Sequence, residues 1–253
     1  MKKRISDIFC VFQIHLARLR REAGPFLLAA IVFPIGMYLF ASGIARQSSE
    51  TISNDARLHF LAASICFSLS LTAISWLGYL LLENRFTGRL KLFATLPLAA
   101  SSYVFGVLIF ALAQGTLGTI SMLVAAKILG VETNIGGAEG VLLLALVIFV
   151  ALLSLCGISV IVAARVRSFS EGSLYTDALG AGLVLLAPVY YRAETLPSFL
   201  RWIGYILPTT YIAAAVNKIL AGNLFIGAEI SVLVLMAAAT LAGGFWTMNW
   251  REE

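Results

Sequence analysis

Few side chains in this 253-residue chain could do chemistry, and their spacing argues against catalysis. His15 and His59 stand alone. Cys10, Cys66 and Cys156 fall in three separate apolar segments without metal-ligand spacing, so neither a disulfide framework nor a zinc site is supported. The sequence contains no G-x-S-x-G and no G-x-x-x-x-G-K-[ST] phosphate loop. A membrane-embedded enzyme would need clustered reactive groups, and the sequence offers none. What remains is hydroxyl, amide and lone-carboxylate chemistry inside apolar runs. Ser64, Ser68, Thr72 and Ser75 stand at i, i+4, i+8 and i+11, one continuous helical face. Gln114, Thr116 and Gly118 form a smaller cluster, and Asp177 is a carboxylate that is costly to leave in lipid. Such residues line a substrate path, or they let helices approach closely and hydrogen-bond one another. The spacing leaves both readings open, with packing the more ordinary one. For Asp177, pairing with Arg165 or Arg167 competes with a transport role.

The elements that would carry these residues follow from composition. Hydrophobic residues make up 60% of the chain and charged residues 12%, and the mean hydropathy is +0.94. Soluble domains carry about 25% charged residues, so the expectation is an all-α polytopic membrane protein. Apolar stretches of about twenty residues recur, the length a helix needs to cross a bilayer. Six spans are expected near 25–44, 58–82, 103–129, 140–164, 172–191 and 229–248, forming one transmembrane domain over the whole chain. The third, with Lys127 near its end, reads as tilted or as extending beyond the lipid. The net charge of +5 and pI near 9.3 record topology in such a chain rather than nucleic-acid binding. With a cytoplasmic N-terminus, twelve of the Lys and Arg residues fall on the cytoplasmic side and six on the other, which favours both termini inside.

Two stretches look built for a surface. In residues 1–24 the positions Ile5, Ile8, Phe9, Phe12, Leu16 and Leu19 follow helical spacing, flanked by six basic residues. That pattern suits a helix lying in the cytoplasmic interface among membrane lipids, more than a cleaved signal peptide. The loop after the second span reads ENRFTGRLKLFATLP, with Phe86, Leu90 and Phe93 on one helical face and Arg85 and Arg89 on another. It could rest on lipid or dock into a partner's groove with those three apolar side chains as anchors. Residues 203–221 are apolar enough for a seventh span, but Pro208 and Asn217-Lys218 argue for two short re-entrant helices, about 196–206 and 209–221, within an outer segment 192–228.

The same loop resembles the coupling-helix region of ABC-2 type permeases, the membrane subunits of ATP-driven exporters. The residues that carry the resemblance are Glu83, Gly88, Leu90, Leu92, Ala94, Thr95 and Pro97. A second match lies at Ser170, Glu171, Pro188, Leu196, Pro197, Pro208, Tyr211 and Lys218, which resemble the family's fifth span and its outer Leu-Pro and Pro-Thr-Tyr segment. With the six-span layout and the amphipathic start, the likeness covers nearly the whole chain. It departs from the family pattern at Lys91, where a carboxylate is common, and in an acidic residue displaced by one from its place before the glycine. The resemblance implies a transport subunit of the bacterial plasma (inner) membrane, with no cofactor of its own. ATP and Mg would be held by a separate nucleotide-binding ATPase chain. It implies that Glu83, Arg85, Phe86, Gly88, Arg89, Leu90 and Phe93 dock that ATPase, and that two permease chains, a homodimer or a heterodimer, form the working unit. The cargo expected is an amphipathic or lipid-like small molecule, with a lipid-linked polysaccharide as the alternative. A channel or scaffold outside this family is the reading from another class.

Overall fold

The computed structural model describes residues 2–21, 23–48, 53–95, 100–191 and 197–247, and no strand occurs among them. Its helices are α1 (Lys2–Arg21), α2 (Ala23–Leu27), α3 (Phe33–Ser48), α4 (Asn54–Ser70), α5 (Leu77–Phe86), α6 (Arg89–Thr95), α7 (Ala100–Ile128), α8 (Gly137–Arg165), α9 (Phe169–Leu186), α10 (Ser198–Ile206), α11 (Pro208–Leu220) and α12 (Gly227–Thr247). The all-α expectation holds among the described residues.

Four of these helical rods are long and apolar enough to cross a membrane: residues 54–86, 102–128, 137–165 and 227–244. A fifth is reached if α10 and α11, bent by 80° at Leu207, count as one broken span. The helices at the positions expected for spans one and five, 23–48 and α9, are not among the four. In α9 the polar content is the reason, since Glu171, Thr176 and Asp177 interrupt it. At 29 residues, α7 and α8 are each about 43 Å long at 1.5 Å per residue. That exceeds a hydrocarbon core of about 30 Å, so α7, at the place of the expected third span, and α8 are both long enough to tilt or extend beyond it.

The rod α4–α5 is the spine. Ser53 caps its start, accepting from the Ala56 amide at 3.3 Å, and Asp55 sits in the first turn where the helix dipole favours an acid. Midway, Leu71–Trp76 form a π-helical turn that joins α4 to α5 without breaking the rod. Such a turn disturbs the i→i−4 ladder and leaves backbone carbonyls needing donors. Ser159 of α8 supplies one, its hydroxyl donating to the Ala73 carbonyl, with Ile74 O also within 3.5 Å. A second π turn, Leu28–Val32, joins α2 to α3 just before Pro34, whose missing N–H cannot serve the carbonyl one turn back.

Around the spine, helices meet through small residues. An added Cβ on Gly157 of α8 would lie 2.4 Å from Thr240 Oγ1 of α12, and the Thr240 hydroxyl donates to Ser154 O at 2.9 Å. A Cβ on Gly106 of α7 would strike Val11 of α1 at 2.7 Å. In hydrocarbon there is little hydrophobic drive between helices, so this close approach and the hydrogen bonds it permits carry the association. The contact with α7 also revises the reading of α1. Val11 and His15 are buried against α7, with Phe12 half-buried, whereas Ile5, Phe9 and Leu16 are exposed. One stripe of the amphipathic helix packs on protein and the neighbouring one stays exposed.

The connections at the opposite end of the molecule from the α5–α6 junction are tied together. Asn54 Nδ2 donates to Glu132 O at 2.9 Å and the Asn134 amide to Leu220 O at 2.9 Å. Lys218 pairs with Glu229 at 2.6 Å, holding α11 to α12. Pro208 opens α11 at its first turn, where its missing N–H is not needed.

Candidate functional site

The stretch 83–95 is a helix end, a turn and a second short helix. Thr87 caps α5, its amide and hydroxyl both donating to the Glu83 carbonyl at 2.9 and 2.6 Å. Gly88 then takes φ +76, the left-handed conformation that a Cβ disfavours. From there α6 sets off in a new direction. The expected single face carrying Phe86, Leu90 and Phe93 is therefore not formed. A helix continuous through Gly88 would have aligned them, but the glycine resets the register between Phe86 and the other two. Leu90 and Phe93 are half-buried and turn back onto the chain's own core, while Phe86 and Leu92 are exposed at 39% and 66%. The free surface of the turn is thus Phe86, Arg89, Lys91 and Leu92.

The charges divide as well. Arg89 Nη1 lies 3.0 Å from Glu83 Oε1, an exposed clasp across the turn. Arg85 is not a rim charge. Its guanidinium donates to the carbonyls of Ala163 at 2.6 Å and Val166 at 3.0 Å, at the C-terminus of α8. Those carbonyls lack helical partners, and a cation there also meets the negative end of the helix dipole. Arg85 thereby joins the two polar connections on this side of the molecule. The second of them is set by Ser168, which caps α9 by accepting from the Glu171 amide at 3.2 Å, while the Glu171 carboxylate takes the Arg167 amide at 3.0 Å.

Beneath the turn lies a cluster that sequence reasoning missed. Tyr103 of α7 is fully buried, and Asn84 Nδ2 donates to its hydroxyl at 2.7 Å. Its ring meets Phe93 of α6 at 5.4 Å and His15 of α1 at 6.5 Å. Four helices, α1, α5, α6 and α7, converge on that one side chain. The available signal was Asn84, an amide at the end of the apolar run GYLLLEN.

The candidate path residues are placed differently. Ser64, Ser68 and Thr72 are buried within the chain, and Ser75 is half-buried. Ser64 Oγ lies 3.4 Å from Tyr190 Oη, Ser70 donates to Gly180 O at 2.7 Å, and Ser75 to Thr176 O at 3.2 Å. The contacts run in opposite directions along the two strands of chain, an antiparallel seam between α4–α5 and α9. Gly78 continues it, since its added Cβ would lie 2.4 Å from Thr176 Cγ2. The π turn takes in both Thr72 and Ser75 and rotates them relative to Ser64 and Ser68, breaking the expected single face. Gln114 is buried and its Nε2 has no partner among the described residues, whereas Thr116 is exposed and bonds to Leu112 O. Asp177 is exposed on α9 and makes no ion pair among the described residues. The pairing with Arg165 or Arg167 is absent there; the nearby carboxylate that is engaged is Glu171.

Leu196 of the segment 192–228 and Pro97 at the end of the stretch 83–97 lie outside the described residues. Pro197 precedes α10 and Pro208 opens α11. The bend is held by Thr210 Oγ1 donating to Gly204 O at 2.5 Å and by Tyr211 Oη donating to Tyr205 O at 2.9 Å. Thr209 Oγ1 bonds to Leu183 O at 2.7 Å, fixing the bend to α9.

The sequence matches the family model described as ABC-2 type transporter over residues 8–221. It is also 27% identical over 195 residues to Nodulation protein J of Azorhizobium caulinodans, an alignment that covers 75% of this chain and 74% of that protein. The match runs from α1 through the turn at Gly88 to the end of α11, so the chain belongs to the ABC-2 type transporter family.

Proposed function

We propose that this chain is the permease subunit of an ATP-driven exporter in the bacterial inner membrane, with both termini in the cytoplasm and six spans. It carries an amphipathic or lipid-like small molecule outward. ATP and Mg belong to a separate ATPase, and two permease chains act with two such ATPases. The observation that supports this reading best is the α5–α6 turn. It offers Phe86, Arg89, Lys91 and Leu92 outward while its inner side is fastened to the membrane helices through Tyr103, Asn84 and Arg85. A surface helix fastened in this way can hand a partner's movement to α5, α7 and α8 together. A helix that merely rested on lipid would need no such fastening.

In this reading the bent pair α10–α11 enters and leaves from the outer side. Its exposed face of Phe199, Trp202 and Ile206 meets lipid or the second permease chain, and α11 is held against the spine. The small-residue seam between α4–α5 and α9 holds the helices in register; the path for cargo then runs between the two chains, where Asp177 stands exposed.

Expression with the ATPase encoded beside it tests the proposal. The chain should co-purify with that subunit, and the complex should hydrolyse ATP while the isolated chain does not. Robust hydrolysis by the isolated chain, or no association with any such subunit, would end this reading.

A further inference from the structure

We infer that Tyr38, Arg46 and Arg57 form a binding site for a phosphate ester group, between the end of α3 and the start of α4. A cavity of about 200 Å³ opens there, lined by Tyr38, Ser42, Arg46 and Arg57, with Leu129 of the turn after α7 on its far side. Tyr38, Ser42 and Arg46 are spaced i, i+4, i+8, so α3 turns one face into it, and Arg57 reaches in from the first turn or so of α4.

Three features ask for an anion. First, two guanidinium groups share the cavity, and among the described residues no acidic side chain lines it. Among the described residues neither guanidinium has an ion pair or a hydrogen bond. Like charges brought together this way repel unless something negative lies between them. Second, Tyr38 is only 5% exposed, and its hydroxyl makes no hydrogen bond among the described residues, yet the side chain faces the cavity. The phenol thus lines the cavity as a donor that no protein group among the described residues engages. Third, helix electrostatics account for Arg46, which sits in the last turn of α3, but not for Arg57, which stands near the positive end of α4. The Ser42 hydroxyl already donates to Leu39 O at 3.0 Å, so it shapes the wall rather than binding.

The chemistry narrows the ligand. Two arginine forks and a phenol supply planar donor pairs and one O–H, the set that matches phosphate oxygens. Drug-sized pockets run to roughly 300–1,000 Å³, so a smaller, half-open cavity takes one headgroup and leaves the rest of the molecule outside. The phosphate can belong to a resident phospholipid or to a phosphate-bearing cargo. That it faces the outer leaflet rests on the topology proposed above; the affinity for phosphate does not.

The test uses the full chain purified in neutral detergent and native mass spectrometry. Wild type should bind phosphatidylglycerol and ignore diacylglycerol, and Arg46→Gln with Arg57→Gln should lower that binding at least tenfold. Arg46→Lys with Arg57→Lys should fall between, because the charge remains but the fork is lost. Tyr38→Phe should weaken binding several-fold with an unchanged melting temperature, since its hydroxyl holds no protein group; this variant carries the test if the double variants fold poorly. Phospholipid already present on wild type and missing from the Gln pair identifies a resident lipid. A site empty on purification that takes added phosphate ester, and is competed by inorganic phosphate, identifies a cargo headgroup. Equal phosphatidylglycerol retention by wild type and the Gln pair, or equal retention of diacylglycerol, overturns the proposal. Neither result depends on whether an ATPase binds.

Discussion

Asn84 Nδ2 donates a 2.7 Å hydrogen bond to Tyr103 Oη, and both residues are almost wholly shielded from solvent. The pair locks the end of α5 to the start of α7 directly under the turn that carries the outward-facing residues. Tyr103→Phe removes the acceptor and strands the Asn84 amide in an apolar setting. That should destabilise the chain by about 1–3 kcal/mol, the cost of an unmet buried polar group. The double variant Asn84→Leu with Tyr103→Phe should recover part of the loss, because neither polar group is then left alone. Melting temperatures in detergent decide it; a double variant no more stable than Tyr103→Phe would show that the hydrogen bond is incidental.

Arg85 and Arg89 are four residues apart and should behave differently. Arg85 satisfies two carbonyls at the end of α8, and hydrogen bonds to a charged group are worth about 1.5–3 kcal/mol. Arg89 is half-exposed in its pair with Glu83, and such surface pairs are worth about 0–1 kcal/mol. Arg85→Ala should therefore lower the melting temperature clearly, Arg85→Lys should restore only part, and Arg89→Ala should change it little. Equal effects from the two alanine variants would contradict the division of roles drawn here.

The breaks in this fold were more legible in the sequence than the contacts. Ser53, Ser168 and Pro208 each mark a helix start by local chemistry, and each start lies beside them. Gly88 carried the same kind of signal, a glycine just past a helix end, yet the apolar spacing of Phe86, Leu90 and Phe93 outweighed it in the reading. The error lay in treating a periodic pattern as one helix through a residue that ends helices. The π turn at Leu71–Trp76 has no composition of its own; Ser159, which serves its carbonyl, is more than eighty residues away. The gathering of His15, Asn84, Phe93 and Tyr103 is likewise a product of tertiary packing. Hydroxyl spacing at Ser64, Ser68 and Thr72 identified a face, but spacing cannot say that α9 and its following turn cover it.

Orientation can be checked by labelling. With Cys10, the exposed native cysteine, replaced by serine, single cysteines placed at Thr133 and at Lys91 report on opposite ends of the molecule. Both positions are exposed, so failure to react reflects the membrane rather than burial. A membrane-impermeant maleimide added to intact cells should label position 133 and leave 91 unmodified until the membrane is opened. The basic bias of twelve to six sets this direction. The opposite pattern would invert the proposed topology and place the α5–α6 turn out of reach of a cytoplasmic ATPase.

The sharpest separation is between the two sides of the α5–α6 turn. Leu92 and Phe86 face outward, and Leu90 and Phe93 pack on the core beside Tyr103. If an ATPase buries the outer pair, each side chain contributes about 1.5–3 kcal/mol to the contact, which is roughly a ten- to hundredfold change in affinity. Phe86→Ala with Leu92→Ala should then abolish capture of the ATPase in a pull-down while leaving the melting temperature of the isolated permease nearly unchanged. Leu90→Ala with Phe93→Ala should do the reverse at first: a lower melting temperature, because a cavity opens against Tyr103, with ATPase binding reduced only as far as the turn loses its shape. Size-exclusion profiles establish that each variant is folded before its binding is read. If the outer pair leaves capture untouched and the inner pair eliminates it in a folded protein, the docking surface is not the one this turn presents, and the exposed side chains of α6 face lipid.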